Sequence, residues 1–178
     1  MQFNFGMAKR LALGIALAWG LTGCAGYRLG PVNGEIAGAK SVQVHPFTNR
    51  TLEPRSAGEN VTSQLRKRLQ KDGTYHLATH ATGEADIDVT GVVTHFNRHE
   101  LSFEQGDVLT VRDYRLSLTA QVSARERGTG KVIFDRPVTG YTIIRVGADL
   151  TNVERQALPL LAEDLAKNIC MLLTEGSW

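Results

Sequence analysis

Tyr114-Arg115-Leu116-Ser117-Leu118-Thr119-Ala120-Gln121-Val122-Ser123-Ala124-Arg125 is the stretch that decides the fold. Tyr114, Leu116, Leu118, Ala120, Val122 and Ala124 fall on one side of an extended chain, and Arg115, Ser117, Thr119, Gln121, Ser123 and Arg125 on the other. A strict period of two describes a strand covered on one face and wet on the other, so the sheet needs a single covering layer. On its C-terminal side, Gly128-Thr129-Gly130 supplies a turn, and residues 131–146 return as a second strand. Pro137 and Gly140 within that strand imply a break or an edge position. On its N-terminal side, Ile87, Val89 and Gly91 alternate with Asp88, Thr90 and Val92, which predicts a strand running to about Arg98. Residues 97–109 mix Leu101 and Phe103 with charges and show no core pattern, which reads as a hairpin tip able to touch something.

Two helices supply the covering layer. Ala57, Val61, Leu65 and Leu69 recur every four residues and end at Asp72-Gly73, a helix with a stop signal. Val153, Ala157, Leu161, Leu165, Ile169 and Leu172 mark another, with Asn152 as its expected cap and Pro159 as an expected kink or restart. Val42 and Val44 before Pro46, and Tyr75 and Leu77, predict short additional strands. The expected architecture is α+β: a two-layer sandwich, with two amphipathic helices on one face of a mainly antiparallel, mixed sheet of about four or five strands. No internal repeat or low-complexity tract interrupts it.

The N-terminus has a different character. Lys9 and Arg10 precede an apolar run from Leu11 to Trp19, the layout of a secretory signal and too short to span a bilayer. Leu21-Thr22-Gly23-Cys24 follows and resembles the lipobox cut by the bacterial lipoprotein signal peptidase. That resemblance implies removal of residues 1–23 and acylation of Cys24, and several acyl chains together give stable anchoring. Residues 24–40, with Gly26, Gly30, Pro31, Gly34 and Gly38, suit a lipidated tether. Residues 41–178 then form a single domain, of ordinary size for one hydrophobic core.

Cleavage changes the charge balance. The whole chain carries 20 Lys and Arg against 18 Asp and Glu. Losing Lys9 and Arg10 brings the formal net charge from +2 to zero. The sequence therefore lacks the basic excess that a nucleic-acid partner calls for. With Cys24 acylated, Cys170 is left without a disulfide partner and sits in an apolar helical pattern, as a packed core thiol does.

Signs of catalysis are sparse. No Gly-x-Ser-x-Gly elbow, phosphate-binding loop or His-Glu-x-x-His helix occurs. His76 and His80, and His95 and His99, are each spaced to project to one face, but Cys or Glu support for a metal is missing, so no metal or cofactor is expected. Asp86 and Asp88 read as solvated strand residues in preference to an acid/base pair. Gly128-Thr129-Gly130 joins two strands and is a turn, not a phosphate cradle. Asn49-Arg50-Thr51 and Asn60-Val61-Thr62 match glycosylation sequons, a modification that a bacterial lipoprotein usually lacks.

Together, Cys24-Ala25-Gly26-Tyr27-Arg28-Leu29, the first strand, the helix ending in Asp72-Gly73, the strand entry Asp113-Tyr114-Arg115 and the closing helix resemble the lipopolysaccharide-assembly lipoproteins of the LptE family. The resemblance spans essentially the whole mature chain and implies a protein without catalytic activity. It implies an outer-membrane lipoprotein that plugs the lumen of the LptD β-barrel and assists lipopolysaccharide delivery to the outer leaflet. Ala25 after the cysteine suggests outer-membrane sorting. The family's basic residue near the hairpin tip has no clear counterpart in Glu104-Gln105-Gly106-Asp107. Arg98, Arg112 and Arg115, which flank the tip, are the candidate lipopolysaccharide ligands, because guanidinium groups suit phosphates. An alternative resemblance, carried by Val44-His45-Pro46-Phe47-Thr48-Asn49 and Gly73-Thr74-Tyr75, is to the curli-secretion and penicillin-binding-protein-activator lipoproteins. It is weakened by the absence of a second strand-helix-strand unit after Asp86. A hydrolase or metal-binding protein is the third reading.

Overall fold

A computed structural model describes residues 41–52, 54–78, 85–146 and 149–174, and backbone only at Glu104, Val108 and Leu109. The signal, the tether, Cys24 and His80 lie outside the described residues. In chain order the elements are β1 (Ser41–Val44), β2 (Thr48–Asn49), α1 (Ala57–Asp72), β3 (His76–Leu77), β4 (Ile87–Glu104), β5 (Asp107–Glu126), β6 (Val132–Arg145) and α2 (Leu150–Thr174). The strands form one sheet in the order β3-β1-β4-β5-β6, with β2 added beside β4. β4, β5 and β6 form an antiparallel meander, while β1 lies parallel to both β3 and β4, and β2 parallel to β4. The expected α+β class, two helices on one face of a mixed sheet, is what the chain forms.

β5 follows its alternation except at Ser117, which is buried on the opposite side. Leu116, Leu118, Ala120, Val122 and Ala124 are fully buried, while Arg115, Gln121 and Arg125 are exposed. Ile87, Val89 and Val93 of β4 and Val42 and Val44 of β1 extend the same buried face. α1 lays Ala57, Val61, Leu65 and Leu69 onto it and ends at Gly73, whose N–H donates to Leu69 O at 3.1 Å. α2 contributes Ala157, Leu158, Leu161, Ala162, Leu165, Ala166, Ile169, Cys170 and Leu173, a stripe broad enough to cover β5 and β6. Each fully buried Leu or Ile stabilises the fold by about 1.5–3 kcal/mol over its exposed state. Cys170 is the packed core thiol expected, its pKa pushed up to about 11 mainly by burial.

Several local expectations are corrected. α2 starts at Leu150, and Asp149, not Asn152, caps it: the Asn152 N–H donates to the Asp149 carboxylate at 3.1 Å. Asn152 lies inside the first turn, where it receives the cap instead of providing it. Of the two readings of Pro159, a restart is excluded, because one continuous helix runs through it from Leu150 to Thr174. Strands β4 and β5 continue past residue 98 to a tip at Gln105-Gly106, where Gly106 has φ 87°. Irregular register between Glu100 and Glu104 explains why this stretch, expected as a hairpin tip, shows no alternation although its residues are paired as strands.

Pro137 and Gly140 sit in an edge strand, as one of the two expected readings required. At Gly140 a Cβ would lie 2.4 Å from the backbone nitrogen of Leu165, so the helix rests directly on the strand. Gly91 is the equivalent position in β4, where a Cβ would fall 2.1 Å from the ring of buried Phe47. Replacing Gly140 by Ala should force α2 away from β6 and cost about 1–3 kcal/mol, as overpacking typically does. A thermal melt should show a midpoint several degrees lower, and an unchanged midpoint would contradict the close approach.

Candidate interaction surface

The distal half of the meander carries the sequence-predicted residues, and a bulge decides where each points. Thr94 is an extra residue between the pairs Val93↔Ala120 and His95↔Thr119. The insertion exchanges the two faces of β4 from His95 to Glu100. His95, Asn97 and His99 therefore align with Thr119, Ser117 and Arg115 on the uncovered face, while Phe96 and Arg98 align with Leu118 and Leu116 on the helix side.

Arg98, Arg112 and Arg115 are consequently not brought together. Arg98 reaches across to α2 and grips Glu154 with both Nε and Nη2, the latter at 2.9 Å, and its guanidinium lies 5.6 Å from the Phe96 ring centroid. Arg112 donates to the Asp113 carboxylate at 3.0 Å. Arg115 sits on the uncovered face between His99 and Ile143, with no hydrogen bond or ion pair to another described residue. Two of the three arginines are thus engaged in holding the fold.

Asp113 is the hub that sequence reasoning missed. It accepts from the Ser102 hydroxyl at 2.5 Å, from Arg112 at 3.0 Å and from Arg145 at 3.2 Å, tying β4, β5 and β6 together at the base of the irregular tip. The Ser102 hydrogen bond, with help from Arg112 and Arg145, lowers its pKa to about 2. The Asp-Tyr-Arg entry contained the residue but no mark of this role. Around this base lie apolar side chains open to solvent: Leu101 and Phe103 near the tip and Tyr141 and Ile143 on β6, the last 63% exposed.

The other polar candidates take structural positions. Asp86 accepts from the Ser41 N–H at 2.9 Å and its hydroxyl at 2.8 Å. Asp88 binds Arg127 at 2.6 and 2.8 Å and His45 at 3.1 Å, and Arg127 chiefly lowers its pKa. These two carboxylates therefore do not form a dyad. His95 and His99 do share a face, but four residues along a strand separate their positions by roughly 13 Å, too far for one ion. Among the described residues, no group of three or more His, Cys, Asp or Glu side chains could hold a metal.

This helix-backed meander agrees with comparison to known proteins. The profile of the LptE lipopolysaccharide-assembly family matches residues 39–171, well over half of the chain. The chain belongs to the LptE family. No curated protein matches it. Among solved structures, the chain is similar to a hypothetical protein of Chlamydia trachomatis, with 12% identity, TM-score 0.54 and 76% and 96% of the two chains covered. It is also similar to a Xanthomonas campestris protein, with 9% identity, TM-score 0.55 and 84% and 91% covered. At these identities the likeness concerns the fold alone. Membership of the LptE family places the chain in lipopolysaccharide assembly, within a family of non-enzymatic envelope lipoproteins.

The depressed Asp113 pKa has a defined sign. Its stabilising effect is complete above the unfolded value near 3.9 and is lost as pH falls through about 2. Melting curves from pH 5 to 2 should fall less steeply for Asp113→Asn than for the wild type. Equal slopes would remove Asp113 as the hub.

Proposed function

We propose that this chain is an outer-membrane lipoprotein, anchored through acylated Cys24, that sits in the lumen of an LptD-like β-barrel and assists passage of lipopolysaccharide to the outer leaflet. The family match over residues 39–171 is the observation that carries this reading. The uncovered sheet face and the exposed large apolar side chains Leu101, Phe103, Tyr141 and Ile143 in the distal half of the meander support it, as surface that a partner could cover. The role needs no catalytic constellation, and Asp86, Asp88 and Asp113 are each engaged in hydrogen bonds that join strands.

Lipopolysaccharide contact is assigned to the arginines at the tip base. Arg115 is placed first because its guanidinium is uncommitted, whereas Arg98 and Arg112 would have to leave Glu154 and Asp113. A phosphate competing for those two must replace charge-assisted hydrogen bonds already made.

Affinity purification of the tagged protein from outer membranes in mild detergent should recover a stoichiometric β-barrel, and depletion should reduce surface lipopolysaccharide. Recovery of a cell-wall synthase or a homo-oligomeric ring would move the chain to the alternative lipoprotein reading. Cys24→Ala should abolish labelling by a fatty-acid probe, and persistent labelling would refute anchoring there. Arg115→Glu should weaken lipopolysaccharide capture more than barrel binding, while Arg98→Glu and Arg112→Glu should also lower thermal stability. Unchanged capture across all three would remove the arginines from the contact.

A further inference from the structure

The backbone groups along the sheet's outer edges are treated unequally. On β6, the Thr139 carbonyl accepts from Asn168 at 2.8 Å and the Tyr141 N–H donates to Asp164 at 2.9 Å, both from α2. Pro137, two residues earlier, has no N–H to offer. On β1, above the two-residue strand β3, the Val44 carbonyl accepts from Arg66 at 2.7 Å. These devices blunt an edge against unwanted pairing.

β4 is different beyond β2. Because Thr139 and Tyr141 point away from β5, the register makes Gly140 and Thr142 bond to Leu118 and Leu116, so Ser117 and Thr119 bond to Asn97 and His95. Phe96, Arg98 and Glu100 then direct their N–H and carbonyl groups outward. The last edge bond is from the Arg50 N–H to the Val93 carbonyl at 2.9 Å. No described residue pairs with the outward backbone groups of residues 96, 98 and 100. Beside them opens a cleft of about 620 Å³, lined by Arg50, Thr51, Leu52 and residues 94–98. Leu52 is 93% exposed at its rim. Among the described residues the lining carries Arg50, His95 and Arg98 and no carboxylate, and Glu154 pairs with Arg98.

We infer that the open edge of β4 at residues 96–100 accepts an extended segment of the barrel partner as an added strand, with an apolar side chain against Leu52 and an acidic one at Arg50. The inference rests on the barrel partner proposed above. Main-chain hydrogen bonds would supply the affinity and the cleft the side-chain selectivity, as in other strand additions. The added strand would continue the line of β2, where a short parallel partner has already begun the ladder.

Hydrogen exchange, resolved to single amides in the full-length protein alone and in the purified barrel complex, reads the edge directly. The Phe96, Arg98 and Glu100 amides should slow by about tenfold or more in the complex, while the already engaged Tyr141 amide changes little. Arg98→Pro removes an outward N–H that the free protein does not use, whereas Arg98→Ala loses the Glu154 pair but keeps the N–H. Barrel binding should therefore weaken about tenfold for Arg98→Pro relative to Arg98→Ala, an arm of the test that applies if melting shows both folded. A barrel that binds with unchanged exchange at all three amides overturns the edge and leaves the barrel reading intact. If no barrel binds the wild type, the barrel reading fails and the edge inference with it. Protection already present in the free protein would assign the edge to the chain's own residues or to a second copy, and would also overturn the inference.

Discussion

The contact between α2 and the inner face of β5 and β6 is the one on which the other features depend. β5 has apolar side chains on one face only, so water must be kept from that face by a layer from elsewhere in the chain. α2 does this with nine buried residues and comes close enough at Gly140 for backbone to meet backbone. The same helix supplies Asn168 and Asp164 to the β6 edge and Glu154 to Arg98. It therefore fixes the meander at its face, its edge and its distal end. α1 plays the smaller part, covering the β1 and β4 side and making room for Phe47, whose N–H donates to the Thr62 hydroxyl at 2.8 Å.

Side-chain periodicity made most of this fold legible, because burial on one face writes a period of two into a strand and a four-residue recurrence into a covering helix. β5, α1 and the stripe of α2 followed from that rule. Features set by local geometry did not. The parallel insertion of β1 between β3 and β4 leaves no trace in four residues of sequence. The tip strands escaped because register irregularities remove alternation where the pairing is still present. Asp149 and Asn152 are both acceptable caps by residue type, and only the capping hydrogen bond from the Asn152 N–H to the Asp149 carboxylate distinguishes them.

The site was less legible than the fold, and Thr94 is the physical reason. A single inserted residue reverses the side chains of β4 from His95 to Glu100, so Arg98 faces α2 while Arg115, opposite His99, faces the uncovered side. Adjacency to the tip therefore did not translate into a common binding surface. Charge was equally ambiguous at the sequence level. An arginine near a hairpin tip reads the same whether it waits for a phosphate or is held by a carboxylate contributed from 56 positions away, as Glu154 is to Arg98. Asp113 shows the converse: a short Asp-Tyr-Arg segment looked like family texture, yet its carboxylate joins three strands.

A one-sided sandwich has an uncovered sheet face and strand edges left over after its core is complete, and the two pose different problems. The proximal part of the uncovered face is occupied by polar pairs, such as Asp88 with Arg127 and Gln121 with Asp135, which tolerate water or a polar wall equally well. Edges carry unpaired main-chain groups, which invite unwanted pairing with other chains. The chain meets this with proline and α2 side chains on β6 and with Arg66 beside β1. Along β4, the bulge at Thr94 sends Arg98 to α2 and turns the backbone of residues 96, 98 and 100 outward in the same step. The insertion that scattered the candidate arginines thus also shapes the edge left open. In the proposed reading, ligand chemistry at Arg115 and docking along the β4 edge are therefore separate features of this meander, one on a face of the sheet and the other along its side.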